Sequence, residues 1–336
     1  GRGLGTVQLD RAADYIAQQF RTAGLQPGGD SDGYFQTWQQ QVDALDASVV
    51  LKNVIGVLPG SDPRHAGQSL VVAAHYDHMG RGEHNSHRED RGLIHPGADD
   101  NASGIAVMLE LARSLKGQAL PRTLVFIALT GEESGLLGAR HYVRHTYTWP
   151  ADSIIAMLNL DTVGRLGKRP LTLFGTGTAE EWVHIFRGAG YVTGVPVKTV
   201  ADDFGSSDQT AFIEAGIPAV QFFSGSHEDF HRPGDTPEKL DYDGLTRVAS
   251  VLNETVRYLA ERPGPLRSTL AGKHHDVPRA RSSRRISFGT VQYFTYSGTV
   301  VGLYEVRSGT PAEHGGLHTG DIIIAVNDTA ISGMRS

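Results

Sequence analysis

Four uninterrupted apolar runs constrain this chain more than any other feature: Ser69–Ala74 (SLVVAA), Thr123–Leu129 (TLVFIAL), Ile154–Leu160 (IIAMLNL) and Ala219–Phe223 (AVQFF). A strand that faces water on one side alternates apolar and polar residues, whereas a continuous apolar run is covered on both faces. The segments between these runs have helical spacing. Asp10–Ala23 sets Ala13, Ile16, Ala17 and Phe20 on one stripe, and Gly24 ends it. Gly104–Leu115, Leu136–His145, Ala179–Ala189 and Tyr242–Ala260 also read as helices. The alternation predicts an α/β domain with a largely parallel central sheet and helices on both faces. In such sheets functional residues gather where strands end and loops begin.

Composition narrows the chemistry. The 336 residues carry a net charge of −6 with histidine neutral and show no basic stripe, which argues against a nucleic-acid partner. No apolar run approaches the length of a transmembrane segment. The start, Gly1-Arg2-Gly3, has no apolar leader, as expected of a mature or trimmed form. Cysteine is absent, so any metal must be held by His, Asp and Glu. After the last helix, Arg262–Arg285 contains three prolines and a basic cluster, and strand-like character returns from Ile286. The expected division is therefore a large domain over 1–261, a linker over 262–285 and a small β-rich unit over 286–336.

Five short segments sit at the end of a predicted strand or in the loop after one. His75-Tyr76-Asp77 follows the first run, offering an imidazole and a carboxylate to fix its tautomer, although alone it reads equally as a surface turn. Asp99-Asp100-Asn101-Ala102-Ser103-Gly104 runs into a helix, where aspartates are ordinary N-caps. Glu132-Glu133 follows the second run, and two glutamates at a buried strand end are costly unless a cation meets them. Asp161 closes the third run, and His231 lies in Asp229-Phe230-His231-Arg232-Pro233-Gly234-Asp235-Thr236. His78, His84, His87 and His95 are read as loop residues. Together, His75, Asp100, Glu133, Asp161 and His231 would meet at one sheet edge. Five N and O ligands suit one or two borderline metals, zinc first, with one shared carboxylate accounting for all five.

In this order the motifs H-x-D, D-D-N-A-S-G, E-E-x-G-L-x-G, N-L-D and H-x-x-x-D-T resemble the M28 family of zinc aminopeptidases, over roughly Leu9–Ala260. The resemblance implies a phosphorylase/hydrolase-like α/β sandwich with a mixed sheet. It also implies two Zn2+ ions, one held by His75 and Asp161, the other by Glu133 and His231, with Asp100 bridging. Glu132 matches the family's general base, acting on a water activated by both zincs, and Asp77 the carboxylate that orients His75. The implied substrates are peptides with a free N-terminus, and the implied location is extracytoplasmic. The pattern departs from the family in its donors. Phe230 stands where several relatives place a Tyr, and Gln209 replaces the His of an S-D-H stretch at Ser206-Ser207-Asp208-Gln209. Help for the oxyanion would then come mainly from zinc, from another donor not marked by the motifs, or from Ser206 or Gln209. Residues Gly298–Ser336 are similar to bacterial PDZ domains but stop before the last helix and strand, and a complete PDZ domain would take a peptide C-terminus as an added strand. Competing readings are a zinc carboxypeptidase, with Arg165 or Arg232 as the carboxylate-binding cation, a glutaminyl cyclase, or a non-catalytic peptide-binding protein working through its tail.

Overall fold

Every residue of the four apolar runs is buried, and their side chains divide by parity between two cores. Leu70, Val72, Ala74, Leu124, Phe126 and Ala128 point into one, and Val71, Ala73, Val125, Ile127 and Leu129 into the other. That is the pleat of strands covered on both faces. The structure, a computed structural model, describes residues 1–42, 45–82, 86, 88–145, 153–270, 290–292, 301–306, 310–318, 321–326 and 329–330. His84, His87, residues 271–285 of the expected linker and parts of the PDZ-like motif (307–309, 319–320) lie outside the described residues.

The order of elements is α1 (Val7–Ala23), β1 (Gln26–Pro27), β2 (Phe35–Val42), β3 (Ala47–Leu58), β4 (Ser69–His75), α2 (Gly104–Ser114), β5 (Thr123–Leu129), α3 (Leu137–Arg144), β6 (Ile154–Leu160), β7 (Leu171–Phe174), α4 (Trp182–Thr193), β8 (Val197–Thr199), α5 (Gln209–Glu214), β9 (Ala219–Phe223) and α6 (Tyr242–Glu261). The strands form one mixed sheet in the order β1-β3-β5-β4-β6-β9-β7-β8, with β2 paired to β3. The four central strands β5, β4, β6 and β9 are parallel neighbours, while β3 and β7 join them antiparallel. Helices α1, α2, α4 and α6 supply the first core and α3 and α5 the second, so both faces are covered. Because the central strands run the same way, His75, Thr130, Asp161 and Ser224 all emerge at one edge, the carboxyl end of the sheet.

The sequence reading omits the hairpin β2–β3. Its outer strand (FQTWQQQV) carries four glutamines and a threonine among three apolar residues and is only partly buried, which weakens the apolar signal. Helix α4 lies later than expected, at Trp182–Thr193 in place of 179–189. Trp182, Ile185, Phe186 and Ala189 fill its buried face, and Gly194, at φ 70°, ends it. Residues beyond α6 turn back along the start of α4: the backbone amides of Arg267 and Thr269 donate to Glu181 and Thr178. In the tail, β10 (Thr290–Gln292), β11 (Val301–Val306) and β12 (Ile322–Ile323) pair antiparallel. Among the described residues no helix is long and apolar enough to cross a membrane.

Candidate metal centre

The carboxyl edge of the sheet brings all five anticipated side chains together. His75 ends β4, and its Nε2 lies 3.2 Å from Asp100 Oδ1 and 3.4 Å from Asp161 Oδ1. His231 Nε2 lies 3.1 Å from Asp100 Oδ2 and 3.3 Å from Glu133 Oε2. The two oxygens of Asp100 therefore address two different imidazole–carboxylate pairs. All five residues are nearly buried, the exposed fraction of their side chains being 1% for His75 and 10% for Asp161 and His231.

Backbone geometry explains why Asp100 is available. Residues Ala98–Ser103 form a wide turn ahead of α2, with the Asp100–Asn101 peptide cis. The Asn101 side-chain oxygen accepts the Gly104 N–H at 3.0 Å, so asparagine and neither aspartate serves that end of α2. Asp99 instead accepts from Gly164 N–H and Ser103 Oγ and pairs with His227 Nε2 at 3.0 Å. Asp235, fully buried, accepts from both Asp99 and Asp100 amides at 2.9–3.0 Å and lies 3.5 Å from Arg165. It thus fixes the peptide that carries Asp100.

The glutamate loop is held from both ends by Asn53 of β3, which is completely buried. Its Oδ1 accepts the Thr130 N–H at 3.2 Å, and its Nδ2 donates to Gly138 O and Gln36 Oε1, both at 3.0 Å. Within the loop the Glu132 amide donates to Asp77 Oδ1 at 3.2 Å. The same Asp77 oxygen faces His75 Nδ1 at 3.7 Å, longer than a hydrogen bond. Arg2 ties the loop after β4 to the turn before Asp99, donating to Tyr76 O, Pro96 O and Gly97 O at 2.7–2.9 Å.

Charge is concentrated here. Burial opposes ionisation of Asp100, but His231 and His75 hold it well below the usual carboxylate range. Burial would lower the His75 imidazole, yet Asp161, Asp100 and Asp77 outweigh it and raise it well above its ordinary value. Glu132 moves the other way: burial first, then Glu133, Asp161 and Asp208, raise it well above the usual range. Asp208 is pushed up to about 8 by burial and by Asp77 and Asp161, and neither of its oxygens has a hydrogen-bond partner among the described residues.

This donor set fits borderline divalent cations. His75, Asp100 and Asp161 form one cluster whose ligand atoms lie within 4.8 Å of one another, and His78, Asp100 and Glu133 a second. Imidazole and carboxylate donors without thiolate suit zinc, and buried acids at this density need a cation to be tolerable.

Several residues depart from expectation. His78 is no loop bystander: its ring is buried and its Nδ1 lies 2.8 Å from Glu133 Oε1. His95 is buried beside it, with ring centroids 6.5 Å apart. Gln209 and Ser206 are engaged elsewhere. Gln209 donates to Ser206 Oγ and Gln221 Oε1 and accepts from Asn159, while Ser206 donates to Gln221 at 2.6 Å. Phe230 stacks on the His231 ring at 4.0 Å. Arg165 is paired with Asp229 and Asp235, and Arg232 with Asp90 and Glu89, so both candidate carboxylate-binding cations already face acids. The sequence reading gave no role to Asn53, Arg2 or Asp235. A lone asparagine opening the apolar run NVIGVL was a readable signal for the first; nothing local marked Arg2.

A mixed α/β sheet whose carboxyl edge gathers two imidazole–carboxylate clusters around a shared aspartate defines a metal-binding α/β protein of hydrolase type. Residues 53–256 match the family model "Peptidase family M28", and the chain belongs to that family. A PDZ domain model matches residues 298–336. Aminopeptidase YwaD of Bacillus subtilis is 28% identical over 67% of this chain, which spans about half (49%) of that relative's length. The structure of BSAP, a zinc aminopeptidase from Bacillus subtilis, superposes with a TM-score of 0.54 at 28% identity, covering 66% of this chain and 52% of that one. A glutaminyl cyclase from Porphyromonas gingivalis shares the fold, with a TM-score of 0.63 at 19% identity over 76% of this chain and 91% of that one.

Proposed function

We propose that this chain is a zinc-dependent exopeptidase that removes the N-terminal residue from peptides. His75 and Asp161 would hold one Zn2+, Glu133 and His231 the other, and Asp100 would bridge them. The observation that carries the reading is the division of Asp100, with Oδ1 3.2 Å from His75 and Oδ2 3.1 Å from His231. When bound, the cations supply Lewis acidity and bring the pKa of water towards neutrality.

The chain's own residues supply the rest. Glu132 belongs to neither ligand cluster, and a carboxyl held above its usual range by burial and by Glu133 is suited to take a proton and return it to the leaving amine. Asp77 anchors Glu132 through its amide while facing His75, coupling the base to the ligand turn. The acidic surroundings favour a substrate's α-ammonium group, which supports an aminopeptidase over a carboxypeptidase because Arg165 and Arg232 already face carboxylates. Phe230, stacked on His231, has no group to donate, and Gln209 and Ser206 are engaged with each other and with Gln221, so bound cations would be the main support of an oxyanion. The match to a PDZ model supports, for the tail, capture of a peptide C-terminus by strand addition.

Two measurements test the reading. Metal analysis should give two Zn2+ per chain, with anomalous peaks about 3.5–4 Å apart. Glu132→Gln should keep both ions and lose about 10²–10⁴-fold in turnover of free, but not N-blocked, peptides. Ordinary rates in Glu132→Gln, or equal cleavage of blocked peptides by the parent chain, would sink it.

A further inference from the structure

We propose that His78 belongs to the metal centre as the residue that orients Glu133, donating from Nδ1 to Oε1 so that Oε2 is left facing His231. The proposal rests on the two-cation reading above and adds a residue that the M28 motifs quoted above leave out.

The geometry is specific. A carboxylate oxygen only accepts, so the 2.8 Å contact between His78 Nδ1 and Glu133 Oε1 requires the proton on Nδ1. Asp100 Oδ2 lies farther away, at 3.9 Å, so the ring's short contact is with Glu133. Its other nitrogen, Nε2, is buried and has no hydrogen-bond partner among the described residues. The ring is held in place. Its backbone amide donates to Arg2 O at 2.9 Å, and it packs on Gly97, where a Cβ would come within 2.5 Å of the ring and φ is 58°. It meets the His231 ring edge-on, with centroids 5.9 Å apart.

The turn His75-Tyr76-Asp77-His78 then serves both halves of the centre in opposite senses. On one side a carboxylate, Asp77, stands behind an imidazole, His75. On the other an imidazole, His78, stands behind a carboxylate, Glu133. Such partners fix which ligand atom faces a cation, and losing one typically costs about 10–100-fold in metal affinity.

The test is Zn2+ titration of the full chain by calorimetry, with Co2+ absorption as a second readout. The parent should show two binding steps. His78→Phe, which keeps a ring but cannot donate, should weaken one step by about 10–100-fold and leave the other unchanged. His78→Asn, whose amide nitrogen can replace Nδ1, should recover most of that loss. Two unaltered steps in His78→Phe would overturn the proposal. So would equal loss of both steps with a lowered melting temperature of the metal-free protein, or failure of His78→Asn to recover affinity. A parent chain that takes up no cation would instead refute the reading on which the proposal rests.

Discussion

Replacing Asp235 with alanine strips the acceptor from two buried backbone amides and removes no atom that faces a cation. Asp235 receives the Asp99 N–H at 3.0 and 2.9 Å and the Asp100 N–H at 3.0 Å, and its side chain is completely buried. Leaving a buried donor unsatisfied costs about 1–3 kcal/mol, so two amides imply about 2–6 kcal/mol. Arg165 keeps Asp229 at 3.3 Å and so adds little to the loss. Out of a typical total of about 5–15 kcal/mol this is a large fraction. Asp235→Asn separates charge from shape. Oδ2 already serves both amides, so an amide oxygen placed there keeps one bond to each, while the amide nitrogen that replaces Oδ1 loses the second contact with the Asp99 N–H and faces Arg165; the cost is about 1–3 kcal/mol, below that of alanine. Urea denaturation of the metal-free protein should rank parent, Asp235→Asn and Asp235→Ala in decreasing stability, and Zn2+ uptake should weaken in the same order because the peptide bearing Asp100 loosens. An alanine variant within about 0.5 kcal/mol of the parent, the range of an ordinary surface substitution, would refute the reasoning.

Three further outcomes follow from the same geometry. Because carboxylates raise His75 well above its ordinary value, cation binding should displace a proton, and Zn2+ affinity should fall as pH drops below that raised value; calorimetry in buffers of different ionisation enthalpy would show the released proton, and a flat profile would contradict it. Gly138→Ala would set a Cβ 2.4 Å from Asn53 Oδ1 and 2.5 Å from Thr130 O, which should destabilise the protein by about 1–3 kcal/mol and lower turnover through the displaced Glu132 loop. His141 lies between Trp38 and His145, with centroids at 4.0 and 4.2 Å, and burial, then His145 and Arg144, lower it from 6.5 to about 4. The folded chain thus refuses a proton that the unfolded chain accepts between those values, and stability should fall as pH drops from about 6.5 towards 4. The full interval corresponds to about 3 kcal/mol, discounted to about 1 kcal/mol for a partly exposed ring; between pH 7 and pH 5 the parent should lose more stability than His141→Gln by about half of that, and equal losses would contradict it.

The sequence by itself determined the layered architecture. Continuous apolar runs such as TLVFIAL can be covered only by placing helices on both faces, and residues at the ends of such runs have no choice but to emerge at a sheet edge. That is why His75, Glu133 and Asp161 could be expected at one sheet edge before any fold was drawn, whereas Asp100, in the turn before α2, and His231, eight residues past β9, were reached through the order of the motifs and their resemblance to a family. The hairpin β2–β3 was not legible, because half of its outer strand faces outward and its apolar pattern is diluted by glutamine.

Only the tertiary structure decided which neighbours hold that centre in shape. His78 reads as one histidine among 15 until the turn of β4 brings it against Glu133, and Asp99 reads as a helix cap until Asn101 takes the Gly104 amide. Asn53, Arg2 and Asp235 act on atoms 77, 95 and 136 positions away along the chain. Periodicity and motif spacing describe what a residue does for its own element. Asn53 at the head of an apolar run and Asp235 inside H-x-x-x-D-T are visible in the sequence, but which groups they bind follows only from strand order and loop closure, because most of the hydrogen bonds they satisfy belong to backbone atoms that every residue carries.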